Sequence, residues 1–304
     1  PLGWIYQSAT ALRVARRSVR IDGLRVVCVG NLVAGGAGKT PTALAIAERL
    51  AANGGHVGFL SKGYGGRLRG PVRVDPTRHR AGDVGDEPLL LAAVHPCWIA
   101  RDRVAGARAA RAAGIETLIL DDGFQDPALA KDVALCVVDG GFGFGNRRGV
   151  PAGPLRERIG AGLRRADAVI LIGEDATGVS DIARSADAPV LAADLEVDPP
   201  GDARDRPLVA FAGVGRPEKV FESWRAAGLD LVETVAYPDH HPYDDGDWEA
   251  LGAKADLRGA ALATTAKDAA RLPALAQPPL VIPAALRWRD AAALDRVLNR
   301  GDPA

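Results

Sequence analysis

Residues 26–50 read VVCVGNLVAGGAGKTPTALAIAERL: an apolar run, a glycine cluster, then a helical pattern. A strand, a phosphate-sized loop and a helix in that order suggest a nucleotide site. The standard loop is G-x-x-x-x-G-K-[ST]. Its backbone N–H groups cradle phosphates, its Lys reaches the outer phosphates, and its hydroxyl ligates Mg²⁺. Gly38, Lys39 and Thr40 match that pattern, while Val33 stands at the first glycine position. Gly35 and Gly36 remain, flanked by Ala34 and Ala37. The helix N-terminus adds its own preference for anions. The nucleoside triphosphate is therefore expected on Val33, Ala34, Gly35, Gly36, Ala37, Gly38, Lys39 and Thr40.

Further apolar runs follow at residues 56–63, 116–123, 134–141 and 168–174, with helical stretches such as PTALAIAERLAANG and DRVAGARAARAAG between them. The runs are continuous, as in parallel strands covered on both faces. The fold expected is α/β: a P-loop NTPase-type doubly wound parallel sheet. The polar, proline-rich patch DPPGDARDRP, residues 198–207, reads as a linker. The expected organisation is an N-terminal amphipathic helix over 1–21, a P-loop core over 22–205 and a smaller C-terminal α/β unit over 206–304.

Three further clusters carry possible chemistry. In LILDDGFQD, Asp121 and Asp122 end a hydrophobic strand, where such folds place a Mg²⁺-linked Asp. In DVGDEPLLLA, Asp86 and Glu87 open a helix, where carboxylates also serve simply as dipole partners. In YPDHHPY, Asp239 adjoins His240 and His241, so either an orienting carboxylate–imidazole pair or an idle loop fits.

Lys+Arg and Asp+Glu both count 38, so net charge names no partner, and nucleic-acid binding gets no compositional support. Cys28, Cys97 and Cys136 lie far apart in apolar surroundings, which fits buried small side chains in a reduced cytosolic setting. Residues 1–21 contain no acid. At helical spacing Arg13, Arg16, Arg17 and Arg20 fall on one side, and Trp4, Ile5, Leu12, Ala15 and Val19 on the other. Such a helix packs on its own domain or lies on an anionic membrane face. It lacks the roughly 18 consecutive apolar residues a membrane span needs.

Taken in order, GNLVAGGAGKTP, SKGYGG, VGDEP, DDGFQ, PAGPLRE, AFAGVGRPEKVF and PDHH resemble the tetraacyldisaccharide 4′-kinase (lipid A 4′-kinase) family over almost the whole chain. The missing first glycine of the loop is usual in that family. The resemblance implies transfer of the ATP γ-phosphoryl group to the 4′-hydroxyl of a tetraacylated glucosamine disaccharide 1-phosphate. It implies a peripheral enzyme on the cytoplasmic face of the inner membrane, attached through its N-terminal helix. It implies Lys39 on the β/γ-phosphates, and Thr40, Glu87, Asp122 and Gln125 around Mg²⁺. Asp86 would be the catalytic aspartate and His240 its partner, with Asp121, Asp239, Lys62 and Tyr64 in support. Arg101, Arg103, Asn146, Arg147 and Arg156 are candidates for the acceptor's phosphate or sugar. No obligate protein partner is evident.

Three positions depart from the family's usual pattern: Lys62 for Arg, Asp126 for His and Ala266 for Glu. They leave room for a divergent paralogue with another acceptor. Other P-loop classes fit less well. A guanine-reading N/T-K-x-D is absent where Lys267 adjoins Asp268, and a dimerising ATPase would carry a Lys where Ala34 stands. A membrane-surface module without kinase activity remains the reading from a different class.

Overall fold

The computed structural model describes residues 2–273 and 277–300, apart from the side chains of Leu2, Trp4 and Ile5. Among these residues the strands are β1 (Arg25–Gly30), β2 (Val57–Ser61), β3 (Val72–Arg73), β4 (Cys97–Ile99), β5 (Thr117–Asp121), β6 (Val133–Asp139), β7 (Ala168–Ile172), β8 (Val190–Val197), β9 (Leu208–Ala212), β10 (Leu231–Ala236), β11 (Ala261–Thr265), β12 (Leu280–Ile282) and β13 (Ala284–Trp288). The larger sheet has the order β13-β8-β7-β6-β1-β5-β2-β4-β3. It is parallel from β8 to β4, and an antiparallel strand closes each edge.

The continuous apolar runs are explained by their two faces. Val26, Cys28, Leu118, Leu120, Cys136 and Val138 join one buried layer. The alternate residues Val27, Val29, Ile119, Leu135 and Val137 join the other. All three cysteines are buried and free. The smaller sheet, β10-β9-β11-β12, is parallel and packs Phe221 and Trp224 of helix Pro217–Ala226 on one side. Phe211 and Leu251 lie on its other side.

Three features differ from the sequence reading. The chain does not stay in the second unit to its end. β13 returns to pair with β8, and helix Ala291–Leu298 buries Leu294, Val297 and Leu298 in the first core. Arg49 of helix Lys39–Ala52 forms an ion pair with Asp295 there. The linker stretch also contributes packing, since Ala203 is fully buried in the small core.

The N-terminal helix spans Leu2–Val14, shorter than expected. Val19 must be extended to pair with Leu129, its N–H donating to Ala128 O at 2.9 Å, so Ala15, Arg16, Arg17, Val19 and Arg20 lie beyond the helix. Arg20 is held by Asp132. The helix rests on the chain through Gly3 and Gln7, which meet Gly149, and through buried Thr10. Leu12 points away at 75% exposure. The Trp4 and Ile5 side chains lie outside the described residues. No helix among the described residues is long and apolar enough to cross a membrane.

Leu294→Ala is expected to cost about 2–5 kcal/mol, the range for emptying a fully buried aliphatic site. Urea unfolding checks it. Because Leu294 packs in the first core, the loss falls on the transition of the P-loop unit.

Candidate functional site

The loop after β1 leads straight into helix Lys39–Ala52. Gly38 sits at φ +84, a left-handed backbone that favours glycine, and a Cβ there would also push the tip of Ile172 aside, its Cδ1 lying 2.4 Å away. Thr42 Oγ1 donates to Gly38 O at 2.8 Å and fastens the loop's far end. Its near end is fastened by PAGPLRE: Ala34 N donates to Pro154 O at 2.7 Å, and Val33 bridges Leu155. Val33 and Ala37 are buried, whereas Ala34, Gly35 and Gly36 are exposed.

β5 delivers the acidic pair at the same sheet edge. Asp122 is left-handed at φ 52 and accepts from Arg156 Nη1 at 2.9 Å, with Lys39 Nζ 4.0 Å away. Burial would raise the Asp122 pKa, but Lys39 and then Arg156 outweigh it and hold the carboxyl below its ordinary value. Asp121 is different. It is 1% exposed, and neither carboxylate oxygen has a hydrogen-bond partner among the described residues. Burial, with Glu87 and Asp122 adding repulsion, pushes its pKa up to about 8. A buried orphan carboxyl fits a cation site. The described residues contain no preformed group of three His, Cys, Asp or Glu ligands. Gln125 is turned elsewhere, donating through Nε2 to Asn31 O at 2.7 Å and Glu157 Oε1 at 3.0 Å.

SKGYGG and VGDEP are pressed together: a Cβ on Gly85, at φ +91, would lie 2.5 Å from Tyr64 O. That contact sets the start of helix Asp86–Ala92, where Asp86 is only 4% exposed. Asp86 Oδ1 accepts from Glu87 N at 2.9 Å. Its Oδ2 faces His240 Nδ1 at 3.0 Å and Arg271 Nε at 3.5 Å, both from the second unit. Lys267 Nζ lies 3.3 Å from His240 Nε2. An ammonium can only donate, so Nε2 accepts and Nδ1 carries the proton toward Asp86. Lys267 also lies 3.4 Å from Glu87 and 3.6 Å from Asp239, and Tyr64 flanks the imidazole with 5.6 Å between ring centroids.

The structure thus gathers Lys39, Thr40, Asp121 and Asp122 at one edge, and Asp86, Glu87, Asp239, His240 and Tyr64 beside them. Lys62 is drawn instead to Asp126, at 2.7 Å, so two of the three departures from the family pattern meet as an ion pair. Nothing in the structure assigns Ala266 a part in the site. Arg103 is 2% exposed and donates to Leu60 O and Asp121 O, which ties β2 to β5 and leaves it unavailable to an acceptor. Sequence reasoning missed Lys267, Asp268 and Arg271. TAKD entered there as a mismatch to a guanine motif and as the place of the Ala266 departure, and its adjacent Lys and Asp were the available signal.

Fold and loop together define a P-loop nucleotide-binding α/β protein with an acidic pair and an Asp–His contact beside the loop. A family model for tetraacyldisaccharide-1-P 4′-kinase matches residues 1–301. Tetraacyldisaccharide 4′-kinase of Rhodospirillum centenum is 50% identical over 301 residues, 98% of this chain and 89% of that protein. Its namesake from Gluconacetobacter diazotrophicus is 50% identical over 302 residues, 98% of this chain and 91% of that protein. A crystal structure of LpxK from Aquifex aeolicus in complex with ATP superposes with TM-score 0.78 at 25% identity, covering 99% of this chain and 97% of that one. The chain belongs to the tetraacyldisaccharide-1-P 4′-kinase family.

The Asp121 shift makes a pH prediction. Between about pH 4 and about pH 8 the folded chain holds a proton that the unfolded chain has released, so metal-free stability falls as pH rises across that window. Asp121→Asn is expected to flatten that slope in thermal melts and to weaken stabilisation by added Mg²⁺.

Proposed function

We propose that this chain transfers the γ-phosphoryl group of ATP to the 4′-hydroxyl of a tetraacylated glucosamine disaccharide 1-phosphate, a lipid A precursor. The observation that carries this reading is the contact between Asp86 and His240 Nδ1, 3.0 Å across two units and beside the phosphate loop. Phosphoryl transfer asks for positioning and charge neutralisation more than for covalent help. Lys39, 10% exposed at the helix start, would neutralise the outer phosphates. Asp86 would orient the acceptor hydroxyl and take its proton as the O–P bond forms and the bond to the ADP oxygen breaks. His240, donating from Nδ1, keeps one Asp86 oxygen aligned.

Asp121, Asp122, Glu87 and Thr40 would hold Mg²⁺, the orphan carboxyl of Asp121 supporting that assignment. When bound, Mg²⁺ neutralises phosphate charge. Gln125 would support these ligands only after leaving Asn31 and Glu157. Residues 2–205, with the returning 284–298, form the nucleotide unit in this account, and 206–282 supply the closing groups.

The acceptor's acyl chains hold it in a bilayer, at about 0.8 kcal/mol per buried CH₂, so the enzyme must work at a membrane surface. The outward Leu12 and the exposed Arg13, Arg16 and Arg17 suit the cytoplasmic face of the inner membrane, where anionic headgroups meet basic side chains.

Radiolabelled γ-phosphate should pass from ATP to a tetraacyl disaccharide 1-phosphate in detergent micelles with Mg²⁺. Asp86→Ala should slow that transfer about 10²–10⁴-fold, the usual worth of a positioned acid or base, while ATP still binds. Unlabelled lipid with the wild-type protein, or undiminished transfer in Asp86→Ala, would count against the reading.

A further inference from the structure

The phosphate loop is tied down at both ends by its own unit but not in its middle. Gly35 and Gly36 are exposed, and a Cβ at either would meet nothing within 4 Å. Two adjacent glycines with no packing have wide backbone freedom, and a cradle of N–H groups is useful only when those groups already point at the anion. The contact that restrains the middle comes from the second unit. Arg216 Nη2 donates to Gly36 O at 3.1 Å. Among the described residues no other hydrogen bond reaches Gly35 or Gly36. Gly215 lies so close that a Cβ there would sit 3.2 Å from Gly36 N.

Arg216 is itself held. Asp139, at the end of β6, lies 2.8 Å from Arg216 Nη2 and also pairs with Lys219. The other Asp139 oxygen accepts from Gly141 N and Phe142 N, and the guanidinium lies over the Phe142 ring at 5.2 Å. Oδ1 thus shapes the loop after β6 and also takes a long 3.4 Å hydrogen bond from Arg216 Nη1, while Oδ2 carries the closer contacts to the cations of the second unit.

We infer that Arg216 is a positioning residue for the phosphate loop, delivered from the second unit and anchored by Asp139. In a planar trans peptide the C=O and the following N–H point opposite ways. Holding the Gly36 carbonyl toward Arg216 fixes the Ala37 N–H away from the second unit. Nucleotide affinity then depends on where the second unit sits, through a contact separate from the one that brings His240 to Asp86. This inference rests on the reading of the loop as an ATP site.

The test is binding of Mg²⁺ with a non-hydrolysable ATP analogue, by calorimetry, in wild type, Arg216→Ala and Asp139→Asn, with steady-state kinetics on each. Asn keeps the Oδ1 acceptor for Gly141 and Phe142 but loses the charge and replaces Oδ2 with an amide, so this variant removes the ion pairs to Arg216 and Lys219 and leaves the local cap, with only the long Arg216 Nη1 contact still able to form. Both variants are expected to bind the analogue about tenfold or more weakly, since a charge-assisted hydrogen bond and its anchor are lost. KM for ATP should rise in parallel, while kcat at saturating ATP and KM for the acceptor stay within about threefold of wild type. Arg216→Lys, which keeps the charge but not the fork, should fall between. Analogue binding within about twofold of wild type in Asp139→Asn, with melting unchanged, would overturn the inference even if Arg216→Ala failed to fold. Failure of the wild type to bind the analogue would instead remove the ATP reading beneath it.

Discussion

The buried carboxylate of Asp268 holds the second unit in the shape the site requires. It is fully buried and accepts from Gly213 N at 2.8 Å and Tyr243 Oη at 2.7 Å, with Thr265 and Arg271 also on it. A buried carboxylate is costly unless paired and hydrogen-bonded, and here each oxygen is used. The donors come from the ends of β9 and β11 and from the loop after β10. One anion therefore fixes the loop that follows each of three strands. Gly213 O then accepts from His240 N at 3.1 Å and from Arg271 Nη2 at 2.8 Å, and both residues go on to Asp86. The left-handed backbone of His240, at φ 59, is held by this arrangement.

The two units thus meet at two places with different work. At the acidic edge His240, Lys267 and Arg271 face Asp86 and Glu87. At the phosphate loop Arg216 and Lys219 face Gly36 and Asp139. In the proposed reaction a second unit built this way would supply cations beside both the acids and the phosphate loop, and the first unit would supply Lys39 and the acids. Closure of such a site would exclude water and limit idle hydrolysis of ATP.

Much of this was legible in the chain because local rules and global fold agree. Continuous apolar runs marked β1, β2, β5, β6 and β7 correctly, since burial on both faces leaves no alternation to misread. GGAGKT and LILDD marked two stretches that the fold brings to one sheet edge, because glycine freedom and strand-end acids are local properties. The short strand β4, the half-exposed strand β8 and the return of β13 were not legible. Their partners are distant in sequence, and pairing across a sheet leaves no periodic trace. The real length of the N-terminal helix was hidden for the same reason, since the Val19–Leu129 bridge ends it. The part played by Asp268 needed the structure, because a buried acid and a surface acid look alike in a sequence. The meeting of Lys62 with Asp126 also needed it.

In the proposed reaction Asp86 and His240 act as one group assembled from two units. A double-mutant cycle on the lipid-kinase rate tests it most directly, comparing Asp86→Ala, His240→Ala and the double variant. If His240 works through Asp86, the double variant will be no slower than Asp86→Ala alone. If the two losses multiply, the residues act independently, and the 3.0 Å contact is not the source of the activity.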